Sequence, residues 1–376
     1  MPRRHAVQRT QSGSREHSRA EEQAPLSLLR DAELAVRLDE IEEARRLLAA
    51  LLRRPDAEDL RPRILTALGH VGLREGRPAA AAWLYRSVLS EGEVGAAAEA
   101  AEGLTHALLA MGRPRRTIEA IQELPPAVSA ATAGRLAATH AAALIELDAH
   151  AAAEHVLDCG LHDARERNDV NTHARLLRLR ARSLWVRARL PEAHRWARRA
   201  VDALVCGEDA YSLAEAKMTL AAIEVDRGRA ERALALLGEA ESVLRAGGTW
   251  IEVARVKLEQ ARALAAIDAP AAARLACSVA HELRDVHPPG EARALGLLAE
   301  LAEKDGDNRD AEALYRQAIA AAEREPTRHT LAAYRSLARF YRRTGRLADG
   351  IHQLEIALDV QDKLAPTSAV RLALNR

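Results

Sequence analysis

The sequence predicts an all-α fold, a solenoid of about nine helix-turn-helix repeats, and three observations lead to that prediction. Ala, Leu, Arg and Glu dominate, while aromatic residues make up only 3% of the 376 residues, which favours helices over a β-sheet core. A pattern seen most clearly as Leu68-Gly69-x-x-Gly72-x-x-x-Gly76 returns along the chain in weakened form. Turn residues recur at one place within each interval, so each interval contains two helices.

A small residue, the anchor, marks the same place in the first helix of every repeat. The step is 36 residues from Gly69 to Thr105 and 40 residues from Ala181 to Ala221. A nearly fixed period in this range indicates stacked supersecondary units. The nine anchors are Ala32, Gly69, Thr105, Ala141, Ala181, Ala221, Ala261, Ala299 and Ala338.

The turn between the two helices is clearest in the second repeat. There the first helix is predicted to run from about Pro62 to Glu75. Gly76 follows as a left-handed C-cap, and Pro78 opens the second helix. Glycine stands in the same place at Gly112, Gly228, Gly306 and Gly345. In the weaker repeats the place is taken by Asp39, Asp148, Ala188 and Asp268.

The second helix carries two further signature positions. Five residues after the turn comes a small residue, which lets the two helices approach closely; four residues later a larger apolar residue is predicted to fill the space between repeats. The small residues are Ala44, Ala81, Thr117, Ala153, Ala193, Ala233, Ala273, Ala311 and Gly350. The later position holds Leu48, Tyr85, Ile121, Leu157, Ala197, Leu237, Cys277, Tyr315 and Leu354.

This pattern resembles the tetratricopeptide repeat (TPR) family over residues 26–364. The resemblance implies a right-handed α-solenoid, or superhelix, and a HEAT-like array of helix pairs is the competing interpretation. The period exceeds the family's standard 34 residues. Longer repeats are similar to those of helical sensor domains in bacterial regulators, including the maltose-activator type, actinomycete antibiotic regulators and peptide-pheromone receptors.

The two ends differ from the repeats. Residues 1–24 are polar and poor in apolar side chains, so we expect a disordered tail. The solenoid is expected over residues 25–364, and residues 365–376 are expected to form a tail or a short capping helix, because a terminal repeat needs a polar outer face.

Composition and motifs disfavour several functional classes. The net charge of +1 disfavours direct nucleic-acid binding, and no apolar run is long enough for a membrane helix. Phosphate-loop, dinucleotide-binding, zinc-protease and nucleophile-elbow motifs are missing. We therefore expect no catalytic residues, no metal and no cofactor. We expect a cytoplasmic location, with the three cysteines, Cys159, Cys206 and Cys277, reduced and buried.

The resemblance also implies a binding surface. In TPR proteins the side chains at −6, −3, +1 and +4 from each anchor line a concave groove, and we call this stripe the first-helix face. A ladder of arginines beside Trp185 is its sharpest feature, since Arg presents a planar fork to carboxylates and Trp adds an apolar anchor. The candidate binding residues are Arg175, Arg178, Arg182, Trp185, Arg255, Arg262, Arg335 and Arg339.

Two functions remain open at this stage. The first is a scaffold or adaptor that holds a protein or peptide segment, possibly an acidic one, in the groove. The second is a ligand- or peptide-responsive regulator that acts on a separate partner, for example a DNA-binding protein. The sequence does not identify the partner or the oligomeric state.

Overall fold

The computed structural model describes residues 24–38, 40–91, 94–124, 130–205, 207, 209–247 and 250–364. Eighteen α-helices and one short 3-10 helix (Pro55–Leu60) occur in these ranges, and none of the residues described there forms a β-strand. The predicted all-α solenoid is confirmed. The expected tail over residues 1–24 lies outside the described residues except for Ala24, and residues 365–376 lie outside them entirely.

Consecutive helices pair into hairpins, nine of them within the described residues. The first helices of the hairpins are α1 Pro25–Arg37, α3 Arg61–Arg74, α5 Val94–Ala110, α7 Ala130–Glu146, α9 Val170–Val186, α11 Ala210–Asp226, α13 Trp250–Leu264, α15 Pro288–Lys304 and α17 Arg328–Arg343. The second helices are α2 Ile41–Leu51, α4 Pro78–Glu91, α6 Pro114–Gln122, α8 His150–Glu166, α10 Leu190–Leu204, α12 Ala230–Gly247, α14 Ala269–Leu283, α16 Asn308–Glu323 and α18 Leu347–Leu364.

The nine anchors are all buried, which explains the period. Ala338 exposes only 4% of its surface, and Thr105 exposes none. The second helix of each hairpin also carries a buried small residue, and in the ninth hairpin an ideal Cβ on that residue, Gly350, would lie 3.1 Å from the carbonyl oxygen of the anchor Ala338. Larger side chains at these positions would force the helix axes apart.

The turns inside the hairpins are of the predicted left-handed type at every glycine. The backbone angle φ lies between 69° and 84° at the five glycines. The two non-glycine residues Asp148 and Ala188 adopt the same conformation, with φ of 60° and 58°. In each case the turn residue's N–H bonds to the carbonyl three residues earlier and the next N–H reaches five back, as Gly228 and Arg229 do with Val225 and Glu224.

The prediction was wrong at Asp268 in the seventh hairpin. Asp268 has φ of −143°, and its carboxylate accepts a hydrogen bond from the Ala271 N–H as the N-cap of α14. The turn therefore places the buried residues of α14 one position earlier. Ala272 and Ala276 are fully buried, whereas the predicted Ala273 is half-buried and Cys277 is exposed. Asp39, the remaining non-glycine turn residue, lies outside the described residues.

The expected burial of the cysteines was also wrong. Cys159 and Cys277 are free thiols and both are exposed, while Cys206 lies outside the described residues. None of the described helices has the length and apolar character needed to cross a membrane.

Contacts divide the chain into two compact units, Met1–Leu104 and Thr105–Arg376, called unit 1 and unit 2 below. The core of unit 1 is built from α1, α2 and α3 around Leu29, Leu48 and Ile64. Further along unit 1, the Tyr85 ring packs so closely that an ideal Cβ on Gly69 or Gly103 would lie 2.5 or 2.3 Å from it.

Unit 2 returns on itself. Leu331 of α17 and Leu364 of α18 belong to the same buried cluster as Ile118 of α6 and Leu157 of α8. The Arg115 side chain, at the start of α6, donates a hydrogen bond to the main-chain carbonyl of Lys363. The ninth hairpin therefore contacts the third and fourth hairpins, so part of the space that an open solenoid would leave as a groove is filled by the protein's own side chains.

The left-handed turns give a first prediction. Ala188 is exposed, and its conformation costs a residue with a Cβ roughly 1–2 kcal/mol. Ala188→Gly removes this strain, but the greater freedom of glycine in the unfolded chain offsets part of the gain. The change should therefore raise the free energy of unfolding by about 0.5–1 kcal/mol. Gly228→Ala, where a Cβ meets nothing within 4 Å, is the reverse control and should lower it by about 1 kcal/mol. Urea unfolding measures both, and a loss of stability in Ala188→Gly would contradict the turn geometry.

Two tyrosines at equivalent repeat positions give a second prediction. The Tyr85 hydroxyl is buried and has no hydrogen-bond partner in the described part of the chain, whereas the Tyr315 hydroxyl donates to Glu303 at 3.0 Å. An unpartnered buried hydroxyl costs about 1–3 kcal/mol, and a made hydrogen bond contributes about 1 kcal/mol. Tyr85→Phe should therefore stabilise the fold and Tyr315→Phe should destabilise it. Equal effects of the two changes on the unfolding midpoint would contradict this assignment.

Candidate functional site

The predicted binding residues lie on three first helices of unit 2. Four of them stand on α9, two on α13 and two on α17. The structure separates them into two groups by their surroundings. The residues on α9 and α13 form a middle group that is half-buried among acidic side chains, and the two on α17 are exposed.

Two arginines of the middle group, Arg178 and Arg182, are held by carboxylates of the same chain. Arg178 lies 2.9 Å from Glu215, and its side chain is 12% exposed. Arg182 is ion-paired with Glu146 and is 19% exposed. Because a buried charge must be matched by an opposite charge, these arginines support the fold, and an acidic ligand would have to displace an internal partner to bind them.

Glu146, at the end of α7, connects three hairpins. Besides Arg182 of α9, it lies 3.4 Å from Arg328 and 3.2 Å from His329, both at the start of α17. Burial acts to raise the pKa of Glu146, but the charges of Arg328 and Arg182 and the hydrogen bond with His329 outweigh it and hold the pKa well below its usual value. Burial also lowers the pKa of His329 to about 3, so at neutral pH this imidazole contributes a hydrogen bond rather than a charge. Glu146 is therefore ionised and joins the fourth, fifth and ninth hairpins.

Glu259 of α13 is a second buried carboxylate with two arginine partners. Arg262 lies 2.5 Å away on the same helix, and Arg293 reaches it from α15. Burial acts to raise the pKa of Glu259, but these two guanidinium groups lower it to about 2. Arg262 is thereby shared between two acidic groups, because it also lies 2.6 Å from Asp226.

Trp185 belongs to the same network. Its indole Nε1 donates to Asp226 at 2.6 Å, and the Arg262 guanidinium lies 5.7 Å from the centre of its ring. The predicted pairing of arginine and tryptophan is thus present, but it is made within the protein, with Arg262 rather than with the α9 ladder.

The other two middle residues are less tightly held. Arg175 donates to the Ser212 hydroxyl at 3.0 Å and lies 3.5 Å from Asp209, with 34% of its side chain exposed. Arg255 is half-buried, and its charge acts on neighbouring groups. Burial acts to raise the pKa of Glu215, but the charges of Arg178 and Arg255 lower it; burial lowers the pKa of His287, and the charge of Arg255 lowers it further. These two arginines keep more capacity to contact a ligand than Arg178 or Arg182.

The α17 residues face a different environment. Arg335 donates to the Gln361 side chain at 3.1 Å and Arg339 donates to Ser336 at 3.0 Å. Both line an open cavity of about 490 Å³ between α17 and α18, together with Arg342 and apolar residues of α18.

The acidic half of the network was missing from the sequence prediction. Glu215 could have been found, because it stands at −6 from the anchor Ala221, on the first-helix face of the sixth repeat. Glu146 stands at +5 from its anchor and reaches a hairpin about 180 residues away, so no local signal indicates its partners. Among the residues that the structure describes, no group of three or more His, Cys, Asp or Glu is arranged to hold a metal ion.

Solved structures with similar folds were found by comparison. One is the Cut9–Hcn1 hetero-tetramer of the APC/C, at 14% identity and a TM-score of 0.52, covering 88% of this chain and 65% of that chain. Another is a Rap protein complexed with Competence and Sporulation Factor, at 12% identity and a TM-score of 0.51, covering 81% and 77%.

A third similar structure is a Signal Transduction ATPase with Numerous Domains that carries a tetratricopeptide repeat sensor, from Pyrococcus horikoshii. It shares 16% identity at a TM-score of 0.47, covering 86% of this chain. The present chain spans 53% of the length of that protein. No protein-family model and no curated protein matches the sequence. At these identities the likeness concerns the fold.

The Glu146 contacts lead to a third prediction. Glu146→Gln leaves Arg182 and Arg328 without their buried counter-charge, which should cost about 3–5 kcal/mol at pH 7. Since the folded state holds the pKa of Glu146 below that of an unfolded glutamate, about 4.3, the carboxylate's contribution is complete above that pH and is lost as pH falls through the lower folded-state pKa. The gap in the free energy of unfolding between wild type and variant should therefore narrow below about pH 4.

Urea unfolding at a series of pH values measures this gap. Glu355→Gln is the matched control, because Glu355 is 69% exposed and faces only His352; it should change stability by less than about 0.5 kcal/mol. If Glu146→Gln were no more destabilising than this control, Glu146 would not hold the hairpins together.

Proposed function

We propose that this chain, which has a tetratricopeptide-repeat fold, is a protein-binding scaffold without catalytic activity of its own. The observation that carries the proposal is the first-helix face of unit 2. There, side chains from successive helices are held in fixed positions by the ion pairs of Glu146, Glu215 and Glu259. A surface ordered in advance loses little side-chain entropy when it binds a partner.

The partner is proposed to be a protein or peptide segment. Repeat arrays offer long surfaces suited to extended partners. Two proteins of like fold support this proposal, since one was solved as the Cut9–Hcn1 hetero-tetramer and the other with Competence and Sporulation Factor. Arg175 and Arg255 are the proposed contact residues in the middle group, and Arg335 and Arg339 are those on α17. Their charge favours a segment that carries carboxylates.

Regulation by a ligand is the second candidate function, and one observation favours it. A buried carboxylate, Glu146, makes a charged contact between the fourth and ninth hairpins, with Arg182 and Arg328 as its charged partners. An acidic ligand that took over either arginine would weaken this contact and loosen unit 2. The affinity for a separate partner would then depend on the ligand, because the two binding events share one conformational equilibrium.

The scaffold proposal is tested by purifying the full chain from its source cells and quantifying the proteins that accompany it by mass spectrometry. We expect one partner in a fixed ratio. The amount of this partner recovered with the double variant Arg175→Ala/Arg255→Ala should fall at least about tenfold, which corresponds to a loss of roughly 1.4 kcal/mol in binding free energy. The matched control is Arg274→Ala/Arg309→Ala, two exposed arginines on the second helices α14 and α16, and it should retain the partner fully.

Circular dichroism must first show that both double variants fold. Equal recovery of the partner by the two variants would remove the middle group from the proposed surface. If no stoichiometric partner accompanied the wild-type chain, and a substrate were turned over instead, the scaffold proposal itself would be wrong.

A further inference from the structure

The last helix in the described part of the chain, α18, presents an apolar stripe to solvent. Leu347, Ile351, Leu354 and Leu358 recur at intervals of three and four residues, so they share one helical face. Between 46% and 61% of each side chain's surface is exposed. Four large apolar residues left uncovered on one helix mark an interaction surface more often than scattered single ones do.

The repeat itself shows that this stripe occupies a position that is covered elsewhere. Leu354 occupies the later signature position of the second helix. In five earlier hairpins this position holds a large residue that is at most 1% exposed: Leu48, Tyr85, Leu157, Leu237 and Tyr315. In the eighth hairpin the cover is the next first helix, because Tyr315 packs in one cluster with Tyr334, Leu337 and Phe340 of α17. An amphipathic helix is therefore what this fold places over this face.

Only part of the ninth hairpin is covered by the protein itself. Leu331, near the start of α17, and Leu364, at the end of α18, belong to a buried cluster that includes residues of the third and fourth hairpins. The half nearer the turn at Gly345 stays open, and there the cavity of about 490 Å³ lies between the helices. We call this open half the terminal groove; it is lined by Ala332, Arg335, Ala338, Arg339, Arg342, Leu347, Gly350, Ile351 and Leu354.

The charge of the terminal groove selects the kind of helix that would fit. Its α17 wall carries Arg335, Arg339 and Arg342, all exposed. None of the three is ion-paired within the described residues. Arg335 donates a hydrogen bond to Gln361, and Arg339 donates one to Ser336. The charge of Arg335 acts on Asp148, and that of Arg339 acts on Glu300, at longer range than an ion pair. The α18 wall is apolar, so one side of the groove suits carboxylates and the other suits leucine-like side chains.

From this complementarity we propose that the terminal groove binds an amphipathic helix of a partner protein, with apolar residues on one face and Asp or Glu along its edge. The stripe from Leu347 to Leu358 is about 16 Å long at 1.5 Å per residue, so three helical turns would fill it. The site lies at the end of the array, and it deepens the proposed scaffold function by naming the chemistry of one partner segment.

Charge also argues against two other occupants from this chain. Residues 365–376 contain Arg371 and Arg376 and no acidic residue. On α1, the first helix of a second copy, the exposed charged residues are Arg30, Asp31 and Arg37, again a net positive edge. Either would place like charges beside the three arginines of α17, which is unfavourable.

The test uses the full chain and synthetic peptides, so it does not depend on finding the natural partner. The probe is an 18-residue helical peptide, designed with Leu at spacings of three and four and Glu on both edges. Fluorescence anisotropy should show saturable binding that weakens with added salt. A peptide of the same apolar pattern with Lys in place of Glu should bind at least about tenfold more weakly, equivalent to roughly 1.4 kcal/mol.

Two variants localise the binding. Ile351→Glu should reduce affinity for the Glu-edged peptide at least about tenfold, whereas Ile267→Glu, which changes an isoleucine of similar exposure (54% against 58%) outside the groove, should leave it unchanged. Arg339→Glu/Arg342→Glu should exchange the preference, so that the Lys-edged peptide binds better. Equal binding of both peptides by the wild type, or equal effects of the two isoleucine variants, would overturn the proposal.

The competing occupants give different results. If a chain lacking residues 365–376 bound the Glu-edged peptide tenfold more tightly than the full chain, the tail would be the occupant and the proposal would be wrong. Self-association in sedimentation experiments that Ile351→Glu abolished would assign the groove to a second copy and would also overturn it. Either result would leave the proposed scaffold function on the first-helix face untouched.

Discussion

Burial of small side chains on both helices of each hairpin is the constraint on which the structure depends. The nine anchors are buried, and the second helix of every hairpin also carries a buried small residue. With so few aromatic residues, the protein builds its core mainly from Ala and Leu side chains, and the small residues let helix backbones pack closely.

Local chemistry made the hairpins predictable from the sequence. Small residues at fixed spacing and a glycine at the turn act within about forty residues, so the helix pairs, their turns and their buried positions could be derived. The seventh hairpin shows where such reasoning ends. Asp268 was interpreted as a turn residue, but aspartate is also a strong N-cap, and the capping role prevailed. A change of one residue in turn length then shifted the buried face of α14.

The candidate site was predictable only in part, for a different physical reason. Arginines on the first-helix face could be identified from the repeat, but their electrostatic state depends on partners from other hairpins. Arg182 and Arg178 looked available for a ligand, yet Glu146 and Glu215 already neutralise them. The exposed arginines of α17 differ because, among the described residues, no carboxylate lies within ion-pair distance of them. Availability for binding is thus set by stacking, which the pattern of a single repeat does not contain.

The return of the ninth hairpin to the fourth has a consequence for how such a chain can evolve. An open array can gain or lose one module by gene duplication or deletion, because each module touches only its neighbours. In unit 2, however, Arg328 reaches Glu146 only if a definite number of hairpins separates them. Inserting or removing one would carry the arginine past its carboxylate and leave both charges buried without a counterpart. The number of hairpins from the fourth to the ninth is therefore constrained by this contact, as the number of modules is in a closed ring.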